Sequence, residues 1–309
     1  MNIQTNAFRE SFGSQGIAPA ALPSTRPFYW SVRRELWEYR SIYLAPLAIA
    51  GAVLLGFMFV LVRLPQTMRT VTSLDPSLQR TALAQPYDFA AALIMGAAFI
   101  VSFFYSLDTL YGERRDRSIL FWKSLPVSDL TAVLAKASIP LLVLPMVAFV
   151  ITFLTQSIML LLSSGVLLTS GLSVAALWMR LELYQTLLGL LYHLVTVHML
   201  WYAPIYAWLL LVSAWARRTP ILWAVLPPLA IGVFEKIAFH SSHFAALIQS
   251  RFSGGSEATD SMQGNFPIQP GMHLTPGNFL SSPGLWLGLI VAAAFLAAAV
   301  RLRRNREPI

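Results

Sequence analysis

Long apolar runs alternate with short charged connections along most of this chain. Six runs approach or exceed the roughly 20 residues that a helix needs to cross the hydrocarbon core of a bilayer. The pattern therefore predicts an all-α integral membrane protein with six transmembrane helices. The predicted spans cover residues 44–62, 88–110, 133–162, 181–215, 221–239 and 285–300.

Prolines interrupt two of these runs. Pro140 and Pro145 lie in the third run and predict kinks there. Pro227 and Pro228 predict a break in the fifth run. The fourth run is long enough to extend beyond the bilayer or to tilt strongly within it.

The composition supports the membrane class. Hydrophobic residues make up 56% of the chain and charged residues only 12%, with a mean hydropathy of +0.62, whereas soluble domains carry about 25% charged residues. The chain has no cysteine, which excludes disulfides, thiolate metal sites and a cysteine nucleophile. The net charge of +8 resides mainly at the ends of apolar runs, so we expect no nucleic-acid partner.

The distribution of basic residues predicts the orientation. Sixteen of the 22 Lys and Arg residues fall on the side of the two termini if six spans are crossed, so both termini are expected in the cytoplasm. Residues 1–27 contain no apolar core of a signal peptide and are expected to form a disordered cytoplasmic leader. Residues 44–300 are then the transmembrane domain, 240–282 an extracytoplasmic loop and 301–309 a basic cytoplasmic tail.

Residues 28–43 are expected to form an amphipathic helix that lies at the cytoplasmic membrane surface. The apolar side chains share one helical face and most charges lie elsewhere, although Glu35 falls near the edge of the apolar face. Trp30 and Trp37 would lie at the level of the headgroups. The alternative is that these residues simply extend the first transmembrane helix.

The cytoplasmic connection between the second and third spans, residues 112–129, mixes charged and apolar residues. Its sequence is GERRDRSILFWKSLPVSD. Asp116 or Ser118 can cap a short helix, which should stop at or before Leu125 because Pro126 disfavours a helical conformation there. Ser128 or Asp129 can then cap the third span. Exposed apolar side chains on such a helix need a partner, either the membrane surface or a groove on a cytoplasmic protein.

This segment resembles a pattern in the permease subunits of type-2 export-class ABC transporters. In that family an acidic–basic pair precedes a hydroxyl residue, a short apolar helix and Pro-Val-Ser. The matching residues are Glu113, Arg114, Ser118, Ile119, Leu120, Leu125, Pro126, Val127 and Ser128. The family often has Gly-Thr where this chain has Arg117 and Ser118. The six spans, the surface helix and the long loop before the last span are also similar to this class.

The resemblance implies that residues 118–125 form a coupling helix that docks on an ATPase subunit. Phe121 and Trp122 would take part in that contact together with the matching residues. No G-x-x-x-x-G-K-[ST] run occurs in the chain, so ATP and Mg²⁺ are expected on a separate ATPase, and no cofactor or catalytic residue is expected here. The partners would be that ATPase, a second permease copy or a related permease, and membrane lipids. The location would be the bacterial plasma (inner) membrane.

Polar residues within the apolar runs are candidates for a translocation path or gate. They are Gln156, Ser157, Gln185 and Glu235. Hydrogen bonding between helices would explain the first three equally well, and snorkelling of the side chain to the interface would explain Glu235. Asp108 is expected to form a structural ion pair with Arg114 or Arg115. His193 and His198 are five residues apart and favour a structural role, and no metal site is predicted.

Two functions follow from these observations. The first is the permease subunit of an ATP-driven transporter, with a lipid-like or amphipathic cargo. The second is a membrane scaffold or regulatory protein that recruits another cytoplasmic partner through residues 112–129. An intramembrane enzyme is disfavoured because the sequence shows no pairing of a nucleophile with a base and no metal-ligand spacing.

Overall fold

A computed structural model describes residues 25–71, 75–124, 127–181, 183–252 and 276–305. These residues form helices and no strand. The helices are α1 Thr25–Glu38, α2 Ser41–Val71, α3 Pro76–Arg115, α4 Ile119–Ser124, α5 Asp129–Thr169, α6 Val174–Leu181, α7 Leu183–His193, α8 Ala203–Trp215, α9 Pro220–Phe239, α10 His243–Phe252, α11 Pro276–Ser281 and α12 Pro283–Asn305. The predicted leader, 1–27, lies almost wholly outside the described residues.

Six helical stretches are long and apolar enough to cross a membrane, which confirms the predicted all-α membrane fold. They are Ser41–Val71, Leu78–Arg115, Asp129–Thr169, Leu177–Trp201, Pro220–Phe239 and Pro283–Asn305. Several exceed the predicted spans. The 41 residues of α5 extend over about 60 Å at 1.5 Å per residue, twice the thickness of a hydrocarbon core.

The fourth apolar run divides instead of forming one helix over 181–215. Its first part ends in a π-helical turn, Leu194–Trp201, and α8 begins at Ala203. The amide of Tyr202 donates to the carbonyl of Val197 at 3.0 Å, a spacing of five residues. Pro204 lies at the start of α8, where its missing N–H breaks no helical hydrogen bond. The proline therefore marks a helix start that hydropathy alone does not reveal.

The prolines of the third and fifth runs act differently from each other. A π-helical turn, Ile139–Val143, surrounds Pro140 inside α5, as expected where a proline removes one N–H from the ladder. In contrast, α9 continues through Pro227 and Pro228, so the predicted break is absent. Helices that cross membranes tolerate proline because neighbouring groups can satisfy the freed carbonyls.

The helix predicted over 28–43 is shorter than expected, because α1 ends at Glu38 and residues 41–43 belong to α2. The chain leaves the helical conformation at Tyr39 and Arg40 before α2 begins. Val32 and Leu36 pack against an apolar cluster shared by α2, α3 and α5. Trp30 and Trp37 remain exposed, and the guanidinium of Arg33 lies 5.1 and 4.8 Å from the centroids of their rings. Helix α1 is therefore separate and not an extension of the first span, and its location at the membrane surface stays a prediction.

One end of the bundle collects five elements and is called the α4 end below. It contains α1, α4, the last turns of α3 and α12, and the first turns of α5. Leu110, Val133 and Ala299 pack there in one apolar cluster with residues of α8. Helix α1 and the last turns of α12 therefore lie at the same end of the bundle.

Candidate functional site

The turn between α3 and α4 comprises three residues, 116–118. Arg117 has a positive φ of 57°, a conformation that favours glycine. The hydroxyl of Ser118 donates to the carbonyl of Glu113 at 3.4 Å, which ties the start of α4 back to α3.

The short helix predicted in this segment is α4, which is described over Ile119–Ser124. Leu125 and Pro126 lie outside the described residues, so the predicted end of the helix stays a prediction. Ser128 caps α5, since its hydroxyl accepts from the amide of Thr131 at 3.1 Å. The predicted cap of the third span is thereby confirmed.

The two faces of α4 have different surroundings. Ile119 is 2% exposed and faces the bundle, whereas Leu120 and Phe121 are each 60% exposed. Trp122 is half-buried. Of the apolar residues expected to dock, Leu120 and Phe121 face outward, and Ile119 supports the helix from within. We call the pair Leu120 and Phe121 the α4 surface.

Arg34 connects the inner face of α4 to α1. Its guanidinium carbon lies 3.9 Å from the centroid of the Trp122 ring, a cation–π contact. The same guanidinium donates to Glu113 at 2.8 Å and to Glu35 at 2.5 Å. One side chain therefore links α1, α3 and α4.

Arg34 is part of a larger group of charges, which we call the charge cluster. Lys136 lies 2.9 Å from Glu35 and 3.2 Å from Glu113. Arg303 lies 3.2 Å from Glu113 and 2.5 Å from Asp129. The cluster thus joins α1, α3, α5 and α12. It contains three cations and three carboxylates, which are Arg34, Glu35, Glu113, Asp129, Lys136 and Arg303.

Most of the charged side chains in the cluster are buried, so each needs a partner of opposite charge. Glu35, Lys136, Glu113 and Arg303 are each less than 5% exposed, and an uncompensated charge in such a place is costly. Hydroxyl groups add further bonds. Tyr105 donates to Glu35 at 2.8 Å, and Lys136 donates to the hydroxyl of Thr109 at 2.8 Å.

The electrostatic balance at Glu35 favours the carboxylate. Burial by itself raises the pKa of Glu35, but the adjacent cations of Lys136 and Arg34 together with the hydrogen bonds of the site lower this pKa by more. The net pKa lies below the ordinary value of a glutamate. Glu35 therefore stays ionised near neutral pH, as its pairing with Lys136 requires.

Arg114 has a different role from Glu113, the neighbouring residue of the motif. It is 3% exposed and donates to the carbonyls of Ser213 at 2.9 Å and Ala216 at 2.6 Å. It thus satisfies acceptors at the end of α8. Its neighbour Arg115 is exposed and lies 3.9 Å from Asp108, which confirms an ion pair to Asp108.

The residues predicted for a translocation path each have a different environment. Gln156 is buried and donates to the carbonyl of Tyr87 at 3.1 Å. The hydroxyl of Ser157 donates to the carbonyl of Phe153 in its own helix at 2.8 Å. Gln185 is exposed. The first two contacts are those expected for interhelical and intrahelical hydrogen bonding.

Glu235 caps a neighbouring helix. Its carboxylate accepts from the amides of His243 at 2.8 Å and Phe244 at 2.9 Å, and from the hydroxyl of Ser241 at 2.7 Å. These amides belong to the first turn of α10, where N–H groups lack partners within the helix. Glu235 therefore orders the junction between α9 and α10.

Replacing Glu235 by alanine should loosen the start of α10. We expect amide hydrogen exchange in His243–Phe252 to become severalfold faster, because the free N–H groups lose their acceptor. The adjacent Lys236→Ala is the control and should leave this exchange unchanged. Equal exchange in the two variants would contradict the capping role.

The intramembrane histidines form no metal site among the residues that the structure describes. His198 is buried, and its Nε2 lies 3.1 Å from the hydroxyl of Tyr206. This contact supports the structural role predicted for His198.

The charge cluster is the part of the site that sequence reasoning missed. Its signals were Glu35 at the edge of an apolar face and Lys136 near the start of an apolar run.

Helix α4 presents the exposed α4 surface on one side, and on its other side Ile119 and Trp122 pack against the bundle. A displacement of α4 would act on α1 through Trp122 and Arg34, and on α3, α5 and α12 through the charge cluster. Buried ionic contacts resist separation, so these elements should move together.

No protein-family model, no curated protein and no solved structure gives a significant match to this chain.

Proposed function

We propose that this chain is the membrane-spanning subunit of an ATP-driven transporter and that its α4 surface docks on a separate ATPase subunit. The observation that carries the proposal is the pair Leu120 and Phe121, each 60% exposed, on a short helix between two candidate spans. Exposed apolar side chains of this size are typical of an interaction site. The motif around Glu113 and Ser118 points to the ATPase of an ABC exporter as the partner.

The charge cluster supplies the mechanical part of the proposal. The ATPase binds and hydrolyses ATP, and its movement displaces α4. Helices α3 and α5 follow because Glu113 and Lys136 connect them, and α12 follows through Arg303. Nucleotide then selects between two arrangements of the spans through the different affinity of the ATPase for each arrangement.

The proposed assembly contains two ATPase subunits and two membrane subunits. The second membrane subunit is another copy of this chain or a related permease. The α4 end faces the cytoplasm in this assembly, in agreement with the distribution of Lys and Arg. The cargo is a lipid-like or amphipathic molecule, because the candidate spans carry few charges.

Leu120→Asp should abolish retention of the ATPase. We expect wild-type protein, purified from native membranes in mild detergent, to retain a P-loop protein and to hydrolyse ATP. In the variant, both the amount of retained P-loop protein and the rate of ATP hydrolysis should fall at least about ten-fold, because the new charge would have to be desolvated in the contact. Mass spectrometry and phosphate release measure the two quantities. Leu78→Asp is the matched control, since Leu78 is 55% exposed at the opposite end of α3.

A crosslink identifies the contact directly. The chain has no cysteine, so Phe121→Cys provides a single attachment point for a photoactivatable reagent, and Leu78→Cys provides its control. A P-loop protein crosslinked only through residue 121 supports the proposal. If a protein without a P-loop is crosslinked there, the scaffold function replaces the transporter. Equal retention by both aspartate variants would overturn docking at α4.

A further inference from the structure

A groove runs along the outside of the bundle between α2 and α3, with α5 at its floor. Its volume is about 490 Å³, within the range of sites that hold small organic ligands. The lining is almost entirely apolar and includes Gly56, Phe57, Val60, Phe89 and Met159. Gln85 is the polar side chain of the lining. We call this feature the α2–α3 groove.

Gly56 lies on one wall of the groove and Pro86 on the other. A Cβ atom at Gly56 would have no heavy atom within 4 Å, so the glycine leaves a space that a larger side chain would occupy. Pro86 lies inside α3 on the opposite wall. Both walls belong to candidate spans, so the groove opens toward hydrocarbon. An empty apolar void would forfeit dispersion contacts along its whole lining.

The length of the groove and its apolar lining suit a hydrocarbon chain. The α2 wall extends from Ile49 to Val60, about 16 Å at the rise of a helix. A flexible hydrocarbon chain can extend over that length and adapt its bends to an irregular apolar surface, whereas a helix from a second copy is a rigid cylinder of about 10 Å diameter.

We propose that the α2–α3 groove binds one acyl chain of a bilayer phospholipid. The headgroup lies at the end marked by Val60 and Gln85, because α2 and α3 are antiparallel and these residues share that end. Arg63 follows Val60 by three residues and Gly56 by seven, so it lies on the same face of α2. Its exposed guanidinium is complementary to the phosphate of the lipid. This proposal does not depend on the transporter function.

The test uses a phosphatidylcholine that carries a diazirine on one acyl chain, with the purified full-length protein in nanodiscs. After illumination, mass spectrometry locates the modified peptides. Wild-type protein should be modified in α2 and α3 near Gly56 and Phe89. Gly56→Leu should reduce this modification at least about five-fold, because the added side chain occupies part of the groove and its Cβ atom has no heavy atom within 4 Å.

Gly51→Leu is the matched control. Gly51 also lies in α2 with nothing within 4 Å of an added Cβ, but it is outside the groove lining. The Gly51→Leu variant should be modified as strongly as wild type, and the two leucine variants should unfold at the same temperature. Equal loss or equal retention of the modification in the two leucine variants would overturn the proposal. So would a change of oligomeric state in Gly56→Leu alone, because the occupant would then be a second copy.

Discussion

Replacing Lys136 by methionine should lower the free energy of unfolding by about 3–5 kcal/mol, the usual cost of removing one partner from a buried ion pair. The charge cluster would keep three carboxylates but only two cations. Glu35, 1% exposed, would lose the cation at 2.9 Å. The measurement is equilibrium unfolding in mixed detergent micelles, followed by tryptophan fluorescence. Lys123→Met is the matched control, because Lys123 is exposed on α4 and should contribute little.

A second substitution separates charge balance from simple packing. Glu35→Gln in the Lys136→Met background restores equal numbers of cations and carboxylates. The amide oxygen can accept from Arg34, and the amide nitrogen can donate to the hydroxyls of Tyr105 and Thr109. The double variant should therefore recover most of the lost stability. If it is as unstable as Lys136→Met alone, the loss comes from packing around the lysine and not from unpaired charge.

Arg114→Met should be the next most damaging change and should cost about 3 kcal/mol. Two charge-assisted hydrogen bonds to the buried carbonyls of Ser213 and Ala216 would be lost, and bonds to a charged group contribute about 1.5–3 kcal/mol each. Arg115→Met is the control one residue away, and we expect it to leave stability nearly unchanged because its ion pairs are exposed. The same unfolding measurement compares the two variants.

Hydrogen exchange adds a local readout to this comparison. Exchange should become faster at the end of α8 in Arg114→Met, since the carbonyls there lose their donors and the last turn frays. Equal unfolding free energies for the two arginine variants would show that Arg114 does not attach α3 to α8.

The two arginines illustrate what a sequence motif leaves open. Glu113 and Arg114 stand at the start of the motif as an acidic–basic pair, yet their side chains bind different partners. Glu113 contacts Arg34, Lys136 and Arg303, and Arg114 contacts backbone carbonyls of α8. Adjacent helical residues point in directions about 100° apart, so one of two neighbouring arginines can be buried and the other exposed. The sequence contains no signal for which one.

The sequence by itself determined the membrane class, the six apolar spans and a cap of the third span at Ser128 or Asp129, of which the structure shows Ser128. These features depend on residues within one run or one helical turn, so hydropathy and local hydrogen bonding are sufficient to predict them. Only the tertiary structure decided where the fourth run divides, which face of α4 is exposed and which charges pair. The partners Lys136 and Glu35 are 101 residues apart, and Arg303 and Glu113 are 190 apart. Such pairs form only when the helices pack, and their strength comes from the burial that this packing creates.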